Sequence, residues 1–163
     1  MFMLEFLDVV NQQDEVIGQA ERAEIYQKRL CHRIVHVLIF NSQNQMALQL
    51  RSDQVSFCPN HWSTAVGGHV QAGENYEEAA LREFQEEVGK TSQIEFFSKD
   101  FYEAAGSPNK FLVTFKSQLE LLDKIACPDV VQIKFFELAE IRQMIERGEK
   151  FHPELLFLLK KYF

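Results

Sequence analysis

The sequence predicts an α/β protein in which helices cover both faces of a mixed β-sheet, an α/β/α layering. The first observation is that strand-like runs lie before, between and after helix-like runs. The second is composition, because 163 residues with 46% hydrophobic and 25% charged residues are typical of one compact domain. Since the four prolines and seven glycines form no linker-like cluster, we predict a single domain over residues 1–163.

The first third of the chain is predicted to consist mainly of strands. Two short strands flank a polar turn at residues 12–15, and a polar stretch that favours helix follows at residues 21–30. A β-hairpin comes next, with apolar runs at residues 34–40 and 46–50 on either side of the polar turn 41–45.

The rest of the chain combines one prominent helix with further strands and two terminal helices. Residues 63–67 form a short strand. A helix of about fifteen residues is expected to begin near Asn75 and to end at Gly89, because glycine commonly terminates helices. Four further strands are predicted at residues 93–98, 100–105, 110–118 and 130–136. Two helices separated by Gly148 are predicted at residues 138–148 and 152–163.

The central helix carries an unusual concentration of carboxylates. Each helical residue advances by about 100°, so Glu83, Glu86 and Glu87 share one face. Like charges four residues apart destabilise a helix by about 0.2–0.5 kcal/mol per pair, and a positive group should offset that repulsion. Arg82 is one candidate, and a divalent metal is the other, because oxygen ligands suit Mg²⁺ or Mn²⁺.

The remaining faces of this helix are predicted to pack against the sheet. Leu81, Phe84 and Val88 form an apolar stripe, while Ala79 and Ala80 leave room beside the carboxylates.

Two glycines precede the helix, and they suggest a close approach between backbone and ligand. Gly67 and Gly68 lack side chains that would hold a ligand away, and a backbone carbonyl there could complete a metal shell.

The stretch GGHVQAGENYEEAALREFQEEVGK, residues 67–90, resembles the Nudix box. All seven fixed positions of that pattern are present, namely Gly68, Glu74, Arg82, Glu83, Glu86, Glu87 and Gly89. The stretch departs from the pattern at Lys90, where the family prefers an aliphatic residue. The resemblance implies a Nudix-type α/β/α sandwich with a mixed central sheet.

The resemblance also implies an Mg²⁺-dependent hydrolase of diphosphate linkages, for which Mn²⁺ is a possible substitute. In such proteins the metal would be held mainly by Glu86 and Glu87, often with Glu83 and the Gly67 carbonyl. Glu83 could act as a ligand or as a base, and the sequence does not separate these roles. The resemblance gives Glu74 and Arg82 a bracing role between loop and helix, and Gly68 a place next to substrate.

Residues outside the box resemble the Nudix subgroup related to isopentenyl-diphosphate isomerase. The matching segments are DVVNQQDEVIGQA, LCHRIVHVLIFN, LQLRS and PNHWSTAVGGHVQAGE. The isomerase needs a cysteine where this chain has Gly67, and we expect no other thiol at the site, since Cys58 lies upstream in a loop. Isomerase histidines that bind metal match His32 and His69, which are weaker metal candidates here than the carboxylates. We therefore favour hydrolysis, with an isomerase or a non-catalytic Nudix binding module as alternatives.

Further residues of the same subgroup pattern concern substrate. Arg51 matches a position that faces substrate phosphate, although an exposed charge at a strand end is an equally plausible interpretation. Trp62, Phe57 and His61 could form a wall for an apolar or base-like group, but large aromatic residues more often belong to the core.

Charge and cysteine content limit the partners and the compartment. A net charge of −7 argues against nucleic acids and anionic membranes, and no apolar run is long enough to span a bilayer. The three cysteines form no CxxC pair, which favours reduced cytoplasm. We expect a small-molecule diphosphate substrate bound through cations, and a homodimer is possible.

Overall fold

The computed structural model describes residues 3–122 and 127–163 of the chain. Within these ranges the strands and helices follow one another as expected for an α/β protein. In chain order they are β1 (Phe6–Val10), β2 (Val16–Glu21), α1 (Arg22–Lys28), β3 (His32–Phe40), β4 (Met46–Arg51), β5 (Trp62–Thr64), β6 (Val66–His69), α2 (Tyr76–Val88), β7 (Glu95–Tyr102), β8 (Lys110–Gln118), β9 (Val130–Phe136), α3 (Leu138–Glu146) and α4 (Pro153–Tyr162).

The central sheet is mixed, as the sequence predicts. Its strands run in the order β5-β4-β3-β8-β7, with β6 also paired to β3 and β9 also paired to β4. The β3–β8 pairing is parallel, and the other pairings are antiparallel. Strands β1 and β2 form a separate antiparallel hairpin. In the described part of the chain, none of the helices is long and apolar enough to cross a membrane.

The side chains of β3 alternate between two cores on opposite faces of the sheet. The odd-numbered residues from Val35 to Ile39 pack in one core with Phe84 of α2. On the other face, Leu38 packs with Leu155 of α4. Because a strand sends successive side chains to opposite faces, this alternation confirms the predicted α/β/α layering.

Helix α2 begins and ends where the sequence predicts. The Asn75 side chain accepts a hydrogen bond from the Glu78 backbone N–H at 2.8 Å, and the Glu78 carboxylate accepts one from the Asn75 N–H at 2.9 Å, forming a capping box. At the other end, Gly89 adopts the left-handed conformation with φ 73° and donates to the Gln85 carbonyl. The helix has 13 residues, slightly fewer than predicted.

The predicted apolar stripe of α2 is partly wrong. Leu81 is 39% exposed, whereas Ala79 and Ala80 are fully buried beside Phe84. Glu83 and Glu87 of α2 contact the glycines of β6. The side of the helix that packs on the sheet therefore includes the alanines, and Leu81 lies outside it. Small side chains at this contact let the helix approach the sheet closely.

Two predicted strand boundaries are also wrong. The strands predicted at residues 93–98 and 100–105 are one strand, β7, with an irregularity between Phe96 and Ser98. The Asp100 side chain is buried in this strand, and it accepts a hydrogen bond from the Tyr162 hydroxyl at 2.9 Å. Conversely, the strand predicted at residues 63–67 is divided, since β5 pairs with β4 while β6 pairs with β3.

Candidate active site

One large cavity of about 1020 Å³ brings together most of the residues that the sequence singles out. Its wall is built by α2, β6, the end of β4, the first residue of β8 and the beginning of α4. The predicted site residues on this wall are Arg51, Gly67, Gly68, His69, Arg82, Glu83, Glu86 and Glu87. The wall does not include Glu74, Gly89 or His32, which lie behind or beside it.

Arg82 ties the loop after β6 to helix α2. Its Nε and Nη2 donate to the two carboxylate oxygens of Glu74 at 2.6 and 2.9 Å, and Nη2 also donates to the His69 carbonyl at 2.9 Å. Its Nη1 donates to Glu83 at 2.8 Å and weakly to Glu86 at 3.5 Å. This geometry matches the bracing role that the resemblance implies for Arg82 and Glu74.

Gly68 leaves the space that the Glu83 carboxylate occupies. A Cβ atom at Gly68 would lie 2.3 Å from the carboxyl carbon of Glu83, far inside van der Waals contact. Burial, with a smaller contribution from the charge of Glu86, raises the pKa of Glu83 to about 7, although the hydrogen bond and charge of Arg82 oppose the shift. The glycine therefore serves to admit a carboxylate side chain and not to permit an unusual backbone angle.

Glu87 is held against the same strand. Its Oε2 accepts a hydrogen bond from the Gly67 N–H at 2.9 Å, and its Oε1 accepts one from the Gln49 side chain at 3.4 Å. Burial raises the pKa of Glu87 to about 8, and the nearby charge of Glu83 adds to the shift. Carboxylates that resist ionisation in this way would be stabilised in their charged form by a cation.

The donor set fits a hard divalent cation. Three carboxylates and the Gly67 backbone carbonyl come from one wall, and oxygen ligands of this kind suit Mg²⁺ or Mn²⁺. In residues 3–122 and 127–163, however, no three His, Cys, Asp or Glu side chains are already grouped around a metal position. Glu83 and Glu86 instead turn toward Arg82. Metal binding would thus require these two carboxylates to exchange Arg82 for the cation.

His32 and His69 are brought together beside the cavity. Their rings stack with centroids 5.5 Å apart. His32 is fully buried, its Nδ1 lies 3.1 Å from the Leu30 carbonyl, and its Nε2 has no hydrogen-bond partner among the described residues. The Nε2 of His69 is 2.8 Å from the Tyr26 hydroxyl. Burial lowers the pKa of His32 to about 4 and that of His69 to about 3, so both rings are neutral at pH 7. Their ligation of a metal stays a prediction.

Arg51 reaches the cavity from the end of β4. Its Nε and Nη2 both donate to the Phe57 carbonyl, at 3.2 and 2.9 Å, which fixes the loop after β4. Phe57 is 52% exposed and lies on the wall, whereas Trp62 packs edge-on against Phe136 in the core. Of the three proposed wall residues, Phe57 lines the cavity, and Trp62 and His61 do not.

The same wall carries a buried charge cluster that the sequence did not predict. Glu154, near the start of α4, accepts a hydrogen bond from Lys110 at 2.7 Å and lies 2.8 Å from the Nε2 of His36. The Nδ1 of His36 is 2.8 Å from the hydroxyl of Thr64. All four side chains are buried. We refer to His36, Thr64, Lys110 and Glu154 as the buried cluster.

Hydrogen bonds join the members of this cluster into a chain. The Thr64 hydroxyl lies 2.8 Å from the Nδ1 of His36 and 3.1 Å from the Val66 carbonyl, so it contacts two acceptors or donors at once. An ionised Glu154 can only accept, so the Nε2 of His36 donates to it.

The surroundings of Glu154 keep it ionised. Burial alone would raise its pKa, but the hydrogen bond from His36 and the charge of Lys110 hold the pKa well below the usual range. The sequence carried two weak signals for this cluster. One was a second histidine on the same face of β3 as His32, and the other was a glutamate directly before the apolar run of the terminal helix.

Gly67 packs directly against the buried cluster. It lies opposite His36 in the β3–β6 pairing, and a Cβ atom there would be 3.0 Å from the Nδ1 of His36. A side chain at this position would press on the His36 ring.

The expectation that no thiol lies near the site is wrong. Cys127, just before β9, lines the cavity, because the path of the chain toward β9 returns to the carboxylate wall. Burial raises the pKa of this thiol, and the negative charges of Asp129, Glu87 and Glu83 raise it further. Cys127 is therefore protonated at neutral pH, without the features of an activated thiolate.

The fold and the carboxylate wall together define a protein in which an acidic helix packs against a glycine strand at the wall of one cavity. Residues 31–159 match the model of the NUDIX domain, and the chain belongs to this family. An uncharacterised Nudix hydrolase of Nostoc sp. is 28% identical, and the match covers 98% of this chain and 96% of the relative. Another, from Pseudomonas aeruginosa, is 27% identical over 97% of this chain and 93% of its own length.

Solved structures agree with this assignment. The crystal structure of a Deinococcus radiodurans protein superposes with a TM-score of 0.81 at 27% identity, covering 98% of this chain and 99% of that one. An Ap4A hydrolase of C. elegans superposes with a TM-score of 0.57 at 24% identity, covering 80% of this chain and 93% of that one. The second likeness shows the fold alone.

Proposed function

We propose that the protein is an Mg²⁺-dependent hydrolase that cleaves a diphosphate linkage in a nucleotide-like or isoprenoid-like metabolite. The observation that carries this proposal is the convergence of Glu83, Glu86, Glu87 and the Gly67 backbone on one cavity. A cavity of about 1020 Å³ is large enough for such a metabolite.

The carboxylates of α2, the two glycines and Arg82 each have a role in this proposal. The carboxylates of Glu86 and Glu87, with the Gly67 carbonyl, would hold the cation. When bound, the cation neutralises phosphate charge and lowers the pKa of attacking water. Glu83 serves as a ligand or as a general base, and both roles need its carboxylate against Gly68. Arg82 keeps the loop and helix in register.

A panel of diphosphates tests the proposal. Nucleoside diphosphates, nucleoside diphosphate sugars and prenyl diphosphates should be incubated with Mg²⁺, with Mn²⁺ and with EDTA, and both products and rates should be measured. We expect cleavage of the diphosphate linkage in at least one class, and its loss in EDTA. Metabolite binding without turnover on the whole panel would replace this proposal with a non-catalytic module.

The isomerase alternative needs its own measurement. Isopentenyl diphosphate should be incubated with the protein and Mg²⁺, and the allylic isomer sought by NMR. We expect no isomer, because the position that matches the isomerase cysteine is Gly67 and a side chain there would meet His36. Robust conversion would contradict the proposed hydrolase.

Gly68→Ala is expected to lower kcat/KM by about 100-fold, because a displacement of about 1 Å at a reacting group costs that much. The added methyl group would occupy the position of the Glu83 carboxylate, which can swing away, so the melting temperature should change little. The matched control is Gly18→Ala in β2, where a Cβ atom would meet nothing within 4 Å. Activity equal to that of the control would show that the carboxylate need not lie against Gly68.

A further inference from the structure

A buried lysine, Lys110, lines the cavity on the side away from the carboxylates of α2. Lys110 lines it from the first residue of β8, and the parallel β3–β8 pairing places this lysine next to His32. Glu154 lines it from the first turn of α4. The two residues are 44 positions apart in sequence and contact each other at 2.7 Å.

Lys110 has donors to spare. The lysine is only 4% exposed, and one of its three N–H groups donates to Glu154. Among residues 3–122 and 127–163, Lys110 has no second hydrogen-bond acceptor, and its ammonium group lies 5.9 Å from the centre of the Tyr26 ring. A buried ammonium group with unused donors favours an acceptor that enters from the cavity.

Further N–H donors lie near Lys110. The Glu154 carboxylate that accepts from Lys110 also lies 2.8 Å from the Nε2 of His36. His152 is neutral, because burial lowers its pKa to about 4. Its Nδ1 accepts the Glu154 N–H, which leaves its Nε2 as a further N–H donor at the cavity. The N-terminus of the ten-residue helix α4 adds a partial positive charge.

We propose that Lys110, held by Glu154 beside His36, binds the terminal phosphate of the substrate. The inference deepens the proposed function, on which it rests, by naming the substrate class: diphosphates that end in an unesterified phosphate, in preference to diphosphates substituted at both ends.

The chemistry of the two phosphate types supports this choice. A terminal phosphate carries a second negative charge above a pKa of about 6, whereas a phosphate esterified on both sides carries only one. Two spare N–H donors on one ammonium group match adjacent oxygens of such a dianion.

The test separates this inference from hydrolysis by measuring binding in EDTA. Methyl phosphate stands in for a terminal phosphate, and dimethyl phosphate for an esterified one, both at about pH 8 where the former is a dianion. We expect methyl phosphate to bind the wild-type protein at least about tenfold more tightly than dimethyl phosphate. In Lys110→Met this preference should disappear, since the variant removes the donor but leaves the His36–Glu154 pair.

A matched control is Lys99→Met, which removes a lysine paired with the buried Asp14 outside the cavity wall. It should keep the preference for methyl phosphate. Equal binding of the two probes by the wild-type protein, or an unchanged preference in Lys110→Met, would overturn the inference. The same would follow if Lys99→Met lost the preference to the same degree.

A measurement on the wild-type protein covers the case in which Lys110→Met does not fold. Methyl phosphate in EDTA should shift the ring NMR signals of His36 and leave those of His61, which lies in the loop before β5, unchanged. Shifts at neither ring, or equal shifts at both, would contradict a phosphate site at the buried cluster. Absence of Mg²⁺-stimulated turnover with these shifts present would instead contradict only the proposed hydrolase.

Discussion

Glu87→Gln is expected to lower Mg²⁺-stimulated kcat/KM by about 1,000-fold or more, because a neutral amide replaces a charged oxygen ligand next to the attacking water. The side chain is held in place by the Gly67 N–H, so the amide should occupy the same position. Glu86→Gln should lose turnover to a similar degree. Phosphate release measured with and without Mg²⁺ checks both variants, with the exposed Glu77→Gln on the same helix as the control.

The same substitution should stabilise the fold at alkaline pH. The pKa of Glu87 is raised to about 8 in the folded protein, so its ionisation costs stability as the pH rises from about 4.5 toward 8. Glu87→Gln removes this cost and should be more stable than wild type by about 1–3 kcal/mol above pH 8, with little difference at pH 4. Glu86→Gln, whose side chain is 57% exposed, should change stability by less than about 0.5 kcal/mol.

Thermal unfolding across pH separates these outcomes from a general loss of structure. Mg²⁺ should raise the melting temperature of the wild-type protein, and the increase should be smaller in Glu87→Gln, because ligand binding to the folded state stabilises it. Unchanged turnover in Glu86→Gln or Glu87→Gln would contradict the metal assignment.

Glu154→Ala is expected to destabilise the protein by about 3–5 kcal/mol, since it leaves the buried ammonium group of Lys110 without a counter-ion. The carboxylate contacts both His36 and Lys110, and all three side chains are buried. Chemical denaturation of the variant and of the exposed Glu140→Ala in α3 measures the difference. The control should lose no more than about 0.5 kcal/mol.

The pH dependence of this loss has a definite sign. Because the pKa of Glu154 is lower in the folded protein than in the unfolded chain, its contribution is complete at neutral pH and declines as the pH falls below the ordinary glutamate value. The gap between Glu154→Ala and wild type should therefore narrow in acid. Adding Lys110→Met to Glu154→Ala should recover part of the loss by removing one unpaired charge. A loss no larger than that of Glu140→Ala would show that the cluster does not contribute to stability.

The carboxylate wall was predictable because its residues are close in sequence. Helical periodicity alone places Glu83, Glu86 and Glu87 on one face. The sequence could not indicate which side chains pack against the two glycines. Gly68 admits the Glu83 carboxylate, and Gly67 admits the His36 ring, so the contacts of both depend on the pairing of β6 with β3 and the position of α2.

The buried cluster was not predictable from the local sequence pattern. His36 and Glu154 lie 118 positions apart, and their contact requires the α4 helix to dock on the even-numbered face of β3. Cys127 reaches the carboxylate wall for a similar reason, through the path that the chain takes into β9. Neither contact leaves a periodic signature in the sequence.

The sequence by itself determined the α/β/α class, the limits of the carboxylate helix and the family to which the chain belongs. These features follow from short-range rules, namely strand alternation, helix capping and the spacing of the box. Only the tertiary structure decided that Lys110, His36 and Glu154 face the same cavity as the carboxylates. Long-range strand pairing and helix docking bring these charges together, because burial requires each charge to find a partner wherever the fold provides one.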